Sequence, residues 1–455
     1  MPALLGHDNA HAVVAWRLGR PITAAQYLAD VARVATRLPT RGPVLNLCTD
    51  RYRFAVGFGA ALWARHTCLL PPTHGDAMLE QLRLEYANLY LLSDQPQRAL
   101  GLPQVAYPSD DGSVDKLAPL FEPPDIDAAF VAARVFTSGS TGQPTAHDKT
   151  WGKLVVNARA EHARLAAGMA GAFTVVGTVP AQHMYGFEST VLMALLNGAA
   201  FDASHPFYPA DIAAALQQVP APRVLVTTPF HLRAVLDAEV VLPPLALIVS
   251  ATAPLAPQLA LRAESTFDAP LLEIYGCTEA GQLATRRPVD SAVWETFDGV
   301  QLTGNDAGFV AHGGHVEGTV SLSDQLELLS PQSFLLLGRS ADMVNIAGKR
   351  TSLAHLDHQL NSIAGVRDGA FYLPVTAEDE GLAGRVQRTQ AFVVAPGLDA
   401  AQLLAGLRDR IDPVFMPRPL HFVAEMPRNS TGKLPTQALA ALAAQLAPKT
   451  PIADD

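Results

Sequence analysis

The sequence is poor in cysteine, in basic residues and in long apolar runs. Its three cysteines, Cys48, Cys68 and Cys277, are too few and too scattered for a disulfide framework or a zinc site, and they fit a reducing compartment. The best candidate for a membrane span, residues 238–251, is interrupted by two prolines, so we expect no membrane span. The first residues lack the basic and apolar regions of a secretory signal. We therefore expect a cytoplasmic protein.

The balance of charge argues against one class of partner. The formal net charge is −10, from 33 basic and 43 acidic side chains. A broad nucleic-acid surface needs clustered lysine and arginine, so we expect no nucleic-acid partner. An acidic chain that binds anions has to use local groups, such as loop amides, helix N-termini, Mg²⁺ or single basic residues.

What the sequence does contain is an alternation of short apolar strands with alanine-rich helices. This alternation indicates parallel sheets with crossover helices, in which ligands collect at the carboxyl ends of the strands. The predicted strands are 131–136, 173–179, 223–227, 245–250 and 271–275, and the predicted helices are 23–38, 153–168, 210–218 and 255–266. Thr23 and Gln26 are spaced for a capping box at the start of the first of these helices.

The chain is too long for one core, and its character changes near residue 338. We expect an α/β fold with two domains. Residues 1–338 would form a large N-terminal domain with parallel-rich sheets and crossover helices. Residues 339–455 would form a small, mobile C-terminal α+β domain that ends in a helix over 436–446.

The densest polar segment directly follows the predicted strand 131–136. Glycines let the backbone present its N–H groups to an anion, and hydroxyl groups add further donors. A flexible surface loop has a similar composition, but the strand immediately before it favours a phosphate loop. No Gly-Lys-Ser/Thr closes the segment, so it is not a Walker loop. It consists of Thr137, Ser138, Gly139, Ser140, Thr141 and Gly142.

This segment resembles the phosphate loop of the acyl-adenylate-forming superfamily, which comprises acyl-CoA synthetases, aryl-acid ligases, luciferases and peptide-synthetase adenylation domains. Asp324 lies 14 residues before Gly338, which is the superfamily's spacing between its ribose-binding aspartate and its hinge Gly-Arg. Five further segments resemble its motifs, in its order: 182–186 (the aromatic/His motif over the acyl pocket), 250–255 (the adenine-side loop), 275–279 (Tyr-Gly-x-Thr-Glu), 338–350 (the hinge) and 427–434 (the catalytic lysine).

The resemblance implies ATP as a substrate, Mg²⁺ as the metal and a small-molecule carboxylic acid as the group that is activated. Residues 137–142 would hold the β- and γ-phosphates. Glu279 would hold Mg²⁺, Thr278 would contact the α-phosphate, and Lys433 would bridge the α-phosphate and the carboxylate. Taken singly, Glu279 could instead be a helix N-terminal carboxylate and Lys433 a solvated lysine.

The same resemblance assigns the nucleoside, the acyl pocket and the hinge. His183 would lie at the acyl pocket, although a buried histidine without a role fits the sequence as well. Ala341 would be the hinge residue, where aspartate or lysine is common in the superfamily. The nucleoside would contact Ala251, Thr252, Tyr275, Gly276, Asp324 and Arg339.

The phosphate loop departs from the superfamily at one position. The superfamily usually has lysine after the proline that ends the loop, whereas here Pro144 is followed by Thr145. Lys149 lies four residues further on, and the sequence leaves open whether it takes the place of that lysine.

Residues 147–152 and 183–188 more closely resemble ligases of the aryl-polyene and xanthomonadin pigment pathways. That likeness implies an acid–thiol ligase that adenylates an aromatic acid, for example a hydroxybenzoate, and loads it onto the phosphopantetheine of an acyl carrier protein. Three alternatives stay open. They are a ligase that uses free CoA, an adenylating enzyme whose acceptor is not a thiol, and a non-catalytic nucleotide-binding relative.

Overall fold

The computed structural model describes residues 1–446 apart from 74, 96–100, 109–121, 139–143, 170, 306–307, 340–342, 347–348, 375–387 and 429–433. The strands are β1 (Val13–Arg17), β2 (Arg20–Thr23), β3 (Val44–Asn46), β4 (Cys68–Leu70), β5 (Tyr90–Ser93), β6 (Gln104–Ala106), β7 (Val131–Ser138), β8 (Pro144–Thr150), β9 (Thr174–Gly177), β10 (Ala200–Asp202), β11 (Arg223–Thr227), β12 (Leu247–Ser250), β13 (Leu271–Cys277), β14 (Gly281–Arg286), β15 (Val293–Thr296), β16 (Val300–Asn305), β17 (Gly308–Gly313), β18 (Thr319–Leu322), β19 (Asp324–Ser330), β20 (Ser333–Arg339), β21 (Met343–Ile346), β22 (Lys349–Ser352), β23 (Asp368–Tyr372), β24 (Gln390–Val394) and β25 (Leu420–Phe422).

The helices pack on these sheets. A π-helical segment, Phe187–Leu192, joins α5 to α6. The helices are α1 (Ala24–Ala35), α2 (Arg51–Trp63), α3 (Asp76–Glu85), α4 (Trp151–Leu165), α5 (Met184–Gly186), α6 (Met193–Leu196), α7 (Pro209–Gln217), α8 (Pro229–Asp237), α9 (Pro257–Phe267), α10 (Leu353–Asn361), α11 (Ala400–Arg408) and α12 (Thr436–Leu446).

Two sheets carry the large domain. One has the order β6-β5-β3-β4-β7-β8 and is parallel except for the β7–β8 pair. The other has the order β19-β20-β15-β14-β13-β12-β11-β9-β10-β1-β2. Its strands from β13 to β1 are parallel, and antiparallel strands extend it at both edges. The predicted α/β fold with parallel-rich sheets is confirmed.

Local sequence signals explain why several elements begin where they do. Thr23 caps α1, and the Thr23–Gln26 capping box expected from the sequence is present. Strand β11 covers the predicted residues 223–227, and its four successive buried residues are typical of a strand between two parallel neighbours. Strand β8 was not predicted, since its sequence, Pro-Thr-Ala-His-Asp-Lys-Thr, has little apolar character.

The C-terminal region has sheets and cores of its own. Strands β23, β24 and β25 form one sheet, and β21 and β22 form a hairpin. Apolar residues from Val344 onward build separate cores under α10, α11 and α12. A smaller C-terminal domain therefore follows the large one, while the boundary at residues 338 and 339 stays a prediction. None of the described helices has the length and apolar character needed to cross a bilayer.

Candidate active site

Four of the predicted site residues lie where β13 turns into β14. Thr278 and Glu279 belong to the turn between these antiparallel strands, and both are half-buried. The ladder shifts register between Tyr275 and Gly276, which marks a bulge. A Cβ atom on Gly276 would lie 2.3 Å from the carbonyl oxygen of Gly281, so only glycine fits there without a backbone shift. The bulge therefore sets the direction in which the turn presents its side chains.

Tyr275 and Asp324 are joined by a hydrogen bond that the order of the strands alone does not predict. The Tyr275 hydroxyl donates to Oδ2 of Asp324 at 2.7 Å. Their strands, β13 and β19, are four positions apart in the sheet, which corresponds to about 19 Å if the sheet were flat. The sheet therefore curls at this edge and brings two motifs together. Arg339 is the register partner of Asp324 on β20.

Aromatic packing fixes the ring of Tyr275. The side chain is buried, and its ring lies 5.4 Å from that of Phe334 and 5.7 Å from that of Trp294. The guanidinium of Arg286 lies over Trp294 at 4.5 Å. Because the ring is held on these sides, its hydroxyl points reproducibly toward Asp324.

The loop after β12 holds Ala251 and Thr252. Ala251 is buried, and Thr252 has a φ of +81°, a conformation that β-branched residues rarely adopt. The loop is tied to the neighbouring strand, because Oε1 of Glu273 accepts a hydrogen bond from the Leu255 amide at 2.9 Å. Strained residues of this kind persist where the surroundings fix them, and they concentrate at ligand sites.

Strands β7 and β8 flank the predicted phosphate loop. Thr137 and Ser138 end β7, and β8 begins at Pro144. The Thr137 hydroxyl lies 2.9 Å from Nε2 of His147, within hydrogen-bonding distance. Gly139, Ser140, Thr141 and Gly142 lie outside the described residues, so their contacts stay predictions.

Lys149 lies at the other end of this hairpin. It pairs with Ala133, five positions before Ser138, which is about 17 Å along a strand. Its side chain is only 4% exposed, and Nζ donates to the carbonyl oxygen of Glu279 at 2.5 Å. Burial lowers the pKa of Lys149. The structure thus places Lys149 under the Thr278–Glu279 turn, where it supports the turn from behind.

His183 precedes the helix that continues from α5 through the π-helical segment into α6. The residue is half-buried. Two residues on, the Tyr185 hydroxyl donates to the carbonyl oxygen of Val249 in β12 at 3.1 Å. This bond ties the His183 segment to the strand that leads into Ala251. π-helical segments inside helices are frequent at functional sites.

A buried polar group that was not predicted from the sequence lies behind the Thr278–Glu279 turn. Asn157 and Glu161 lie on the apolar face of α4, between Leu154 and Leu165, and this position was the available signal. A charged residue in an apolar stripe is buried and needs an explanation. The members of this buried polar group are Lys149, Asn157, Glu161, Glu188, Ser189 and Gln282.

Two predicted residues of the C-terminal region, Ala341 and Lys433, lie outside the described residues. The segment before Lys433 is nevertheless attached to the large domain. Arg428 donates from Nε and Nη2 to both carboxylate oxygens of Asp368, at 2.7 and 2.8 Å. Asp368 also pairs with Arg233 of α8 at 3.4 Å. This three-residue bridge ties Arg428 and Asp368 to α8 of the large domain.

The carboxylate in the Thr278–Glu279 turn fits the metal that the resemblance implies. The described part of the chain holds no group of three or more histidine, cysteine, aspartate or glutamate side chains arranged for a metal ion. Mg²⁺ does not need one, because it is usually bound by one or two carboxylates and the phosphates of a substrate. The single carboxylate of Glu279 in an accessible turn fits that mode.

The comparisons with known proteins place this fold among the adenylate-forming ligases. Residues 6–307 match the model of the AMP-binding enzyme family, and the chain belongs to that family. It is 30% identical over 314 residues to the 4-coumarate–CoA ligase of Halorhodospira halophila, covering 66% of this chain and 73% of the relative. A second 4-coumarate–CoA ligase, from Rhodobacter capsulatus, is 30% identical over 336 residues, which is 72% of this chain and 80% of the relative.

A solved structure shows the same fold over the whole chain. ATP-bound MatB of Rhodopseudomonas palustris superposes with a TM-score of 0.78 at 19% identity, covering 96% of both chains. The family match and the two 4-coumarate–CoA ligases confirm the resemblance to the acyl-adenylate-forming superfamily. The protein is an ATP-using, adenylate-forming acid–thiol ligase.

Proposed function

We propose that the protein activates an aromatic carboxylic acid, for example a hydroxybenzoate, and transfers it to the phosphopantetheine thiol of an acyl carrier protein. The observation that carries the adenylation site is the 2.7 Å bond between Tyr275 and Asp324. This bond holds the end of β13, from which Thr278 and Glu279 follow, beside the carboxylate of Asp324. That carboxylate can accept hydrogen bonds from both ribose hydroxyls.

In the first step, a carboxylate oxygen of the acid attacks the α-phosphorus of ATP. The bond from the α-phosphorus to the bridging oxygen breaks, and pyrophosphate leaves. In the second step, the thiol sulfur attacks the acyl carbon, its proton is lost, and AMP leaves. Two anions must meet in the first step, so catalysis depends on positioning and on neutralising charge in the transition state.

Different residues contact the phosphates, the metal and the acid. Thr278 contacts the α-phosphate, and Lys433 bridges it to the acid as a point charge. Glu279 would hold Mg²⁺, which would neutralise charge on the phosphates when bound. His183 borders the acid. The β- and γ-phosphates are held by Thr137, Ser138, Gly139, Ser140, Thr141 and Gly142.

The nucleoside is held at the curled edge, and the two domains rotate about the hinge. Hinges only need to absorb a change of φ and ψ, so alanine at position 341 is compatible with this role. Residues 1–338 form the large domain and residues 339–455 the small one. The nucleoside contacts are Ala251, Thr252, Tyr275, Gly276, Asp324 and Arg339.

Free CoA is the second candidate acceptor. The names of both 4-coumarate–CoA ligases support it, and they also support an aromatic acid. Lys349, which directly follows Gly348 of the hinge segment, is a basic residue available to either acceptor, and it is ion-paired with Asp412. Exposed pairs of this kind are weak, so Lys349 can exchange Asp412 for an anionic acceptor.

The experiment supplies ATP, a panel of aromatic acids and both acceptors. Pyrophosphate release identifies the acid, and mass spectrometry follows the thioester on a carrier protein and on CoA. We expect faster acylation of the carrier protein. Faster acylation of CoA would refute the carrier-protein proposal and leave adenylation standing. ATP binding without pyrophosphate release for any acid would instead favour a non-catalytic nucleotide-binding protein.

A further inference from the structure

The buried polar group behind the Thr278–Glu279 turn contains two internal hydrogen bonds. Asn157 donates from Nδ2 to Oε1 of Glu188 at 2.6 Å. Gln282 donates from Nε2 to the Ser189 hydroxyl at 2.7 Å. Both bonds join different elements, α4 to the π-helical segment and β14 to the same segment. All these side chains are at most 3% exposed.

After these bonds are made, each donor atom of the group has a partner within the described part of the chain, whereas four acceptor atoms have none. Among the described residues, no hydrogen-bond partner is found for Oδ1 of Asn157, Oε1 of Gln282 or either carboxylate oxygen of Glu161. Glu161 is fully buried. Buried polar atoms are nearly always paired in folded proteins, so four unpaired acceptors in one place call for a donor.

The pKa of Glu161 is consistent with this lack of donors. Burial raises the pKa of Glu161 to about 7. Ser189 and Gln282 face the carboxyl group and partly oppose this rise, although neither meets the geometry of a full hydrogen bond. A protonated Glu161 supplies only one donor, so acceptor atoms of the group still remain unpaired.

The group lies close to where the acid would react. Oε1 of Glu188 is 3.0 Å from the position that a Cβ atom would take on Gly281. Gly281 follows Thr278 by three residues, which places their Cα atoms at most about 11 Å apart. Lys149 connects the group to the turn itself through its bond to the carbonyl oxygen of Glu279. The buried polar group and the turn that carries Thr278 are therefore neighbours, at a separation comparable to the length of a short aromatic acid.

We propose that Glu161, with Asn157 and Gln282, recognises a hydroxyl group or a neutral aryl amine at the far end of the acid. This inference rests on the proposed function. An acid without such a donor would leave the acceptors unpaired, and a site built to bind a hydroxyl discriminates strongly against such an analogue. Because Lys149 already places a positive charge in the group, a second cation is disfavoured. A second carboxylate on the acid is disfavoured by Glu161 and Glu188.

The test compares benzoate with 3-hydroxybenzoate, 4-hydroxybenzoate and their methoxy ethers, which cannot donate. For the wild type we expect kcat/KM in pyrophosphate release to be at least about 100-fold higher for one hydroxybenzoate than for benzoate and for its own ether. In Glu161→Leu this ratio should fall toward one, mainly because turnover of the hydroxybenzoate is lost. Glu161→Gln, which keeps the shape and one acceptor, should give an intermediate ratio. Glu80→Gln, at an exposed position, is the control and should keep the wild-type ratio.

The ratio separates recognition from folding, because a structural defect lowers turnover of every acid alike. Stabilisation of the protein against thermal unfolding by each acid is measured in parallel. A wild type that treats benzoate and both hydroxybenzoates equally would overturn the proposal, as would an unchanged ratio in Glu161→Leu. If no acid releases pyrophosphate, the proposed function fails. The recognition proposal then stands or falls on whether hydroxybenzoates stabilise the wild type more than they stabilise Glu161→Leu.

Discussion

Replacing Gly276 with alanine should damage adenylation far more than it damages the fold. A Cβ atom at this position would lie 2.3 Å from the carbonyl oxygen of Gly281, and ordinary contact begins at 3.4 Å. The two strands must therefore separate by about 1 Å at the bulge, and neither atom belongs to a flexible side chain. Overpacking of this size typically costs about 1–3 kcal/mol of stability.

The catalytic loss follows from what the bulge positions. Thr278 and Glu279 lie in the turn that begins two residues later, so the shift is passed to them directly. A misplacement of about 1 Å in an active site can lower the rate about 100-fold. We expect kcat/KM for pyrophosphate release to fall by that factor in Gly276→Ala.

The control is Gly397→Ala. A Cβ atom on Gly397 meets no heavy atom within 4 Å, and Gly397 does not have a left-handed φ. Pyrophosphate release and thermal unfolding are measured for both variants and the wild type. The reasoning is refuted if Gly276→Ala retains wild-type kcat/KM, or if Gly397→Ala loses as much activity as Gly276→Ala.

Three further predictions concern single groups. Tyr275→Phe removes the hydrogen bond to Asp324 and keeps the ring, so we expect a rise of about tenfold or more in KM for ATP, in line with about 1.5–3 kcal/mol for a bond to a charged group. An unchanged KM would contradict this, and Tyr208→Phe, at an exposed ring, is the control. Lys433→Ala should abolish most pyrophosphate exchange while ATP affinity is nearly unchanged, because the charge acts on the transition state; full exchange activity would remove Lys433 from the mechanism. Glu161→Gln should change how stability depends on pH. Burial raises the pKa of Glu161 from 4.5 to about 7, so the folded wild type binds this proton more tightly than the unfolded chain and loses stability as pH rises through that window, by up to about 3 kcal/mol. The variant lacks this loss. Its free energy of unfolding relative to that of the wild type, measured with urea, should therefore be higher at pH 8 than at pH 5. Equal pH dependence in the two proteins would contradict the assignment.

The sequence predicted the elements whose signals are local. The capping box at Thr23 and the apolar run of β11 depend only on residues close in the chain, and both were found as predicted. The order of motifs predicted the fold and the enzyme class for the same reason, since each motif is a short run.

The features that the sequence did not predict depend on distant contacts. The bond between Tyr275 and Asp324 requires a sheet edge that curls over four strands, and no run of residues encodes that curl. The positive φ of Thr252 goes against its residue type, so a propensity argument points the wrong way. The role of Lys149 was left open because its distance from the phosphate loop depends on the unpredicted strand β8. Glu161 was missed because its unpaired state depends on α4, β14 and the π-helical segment meeting.

Acid-dependent exchange of labelled pyrophosphate into ATP tests the central claim most directly. The purified protein is incubated with ATP, Mg²⁺, labelled pyrophosphate and one aromatic acid, without any thiol. We expect exchange that depends on the acid and, once a thiol acceptor is added, formation of AMP and pyrophosphate in equal amounts. Cleavage of ATP to ADP and phosphate, or ATP turnover that is the same with and without any acid, would contradict this expectation.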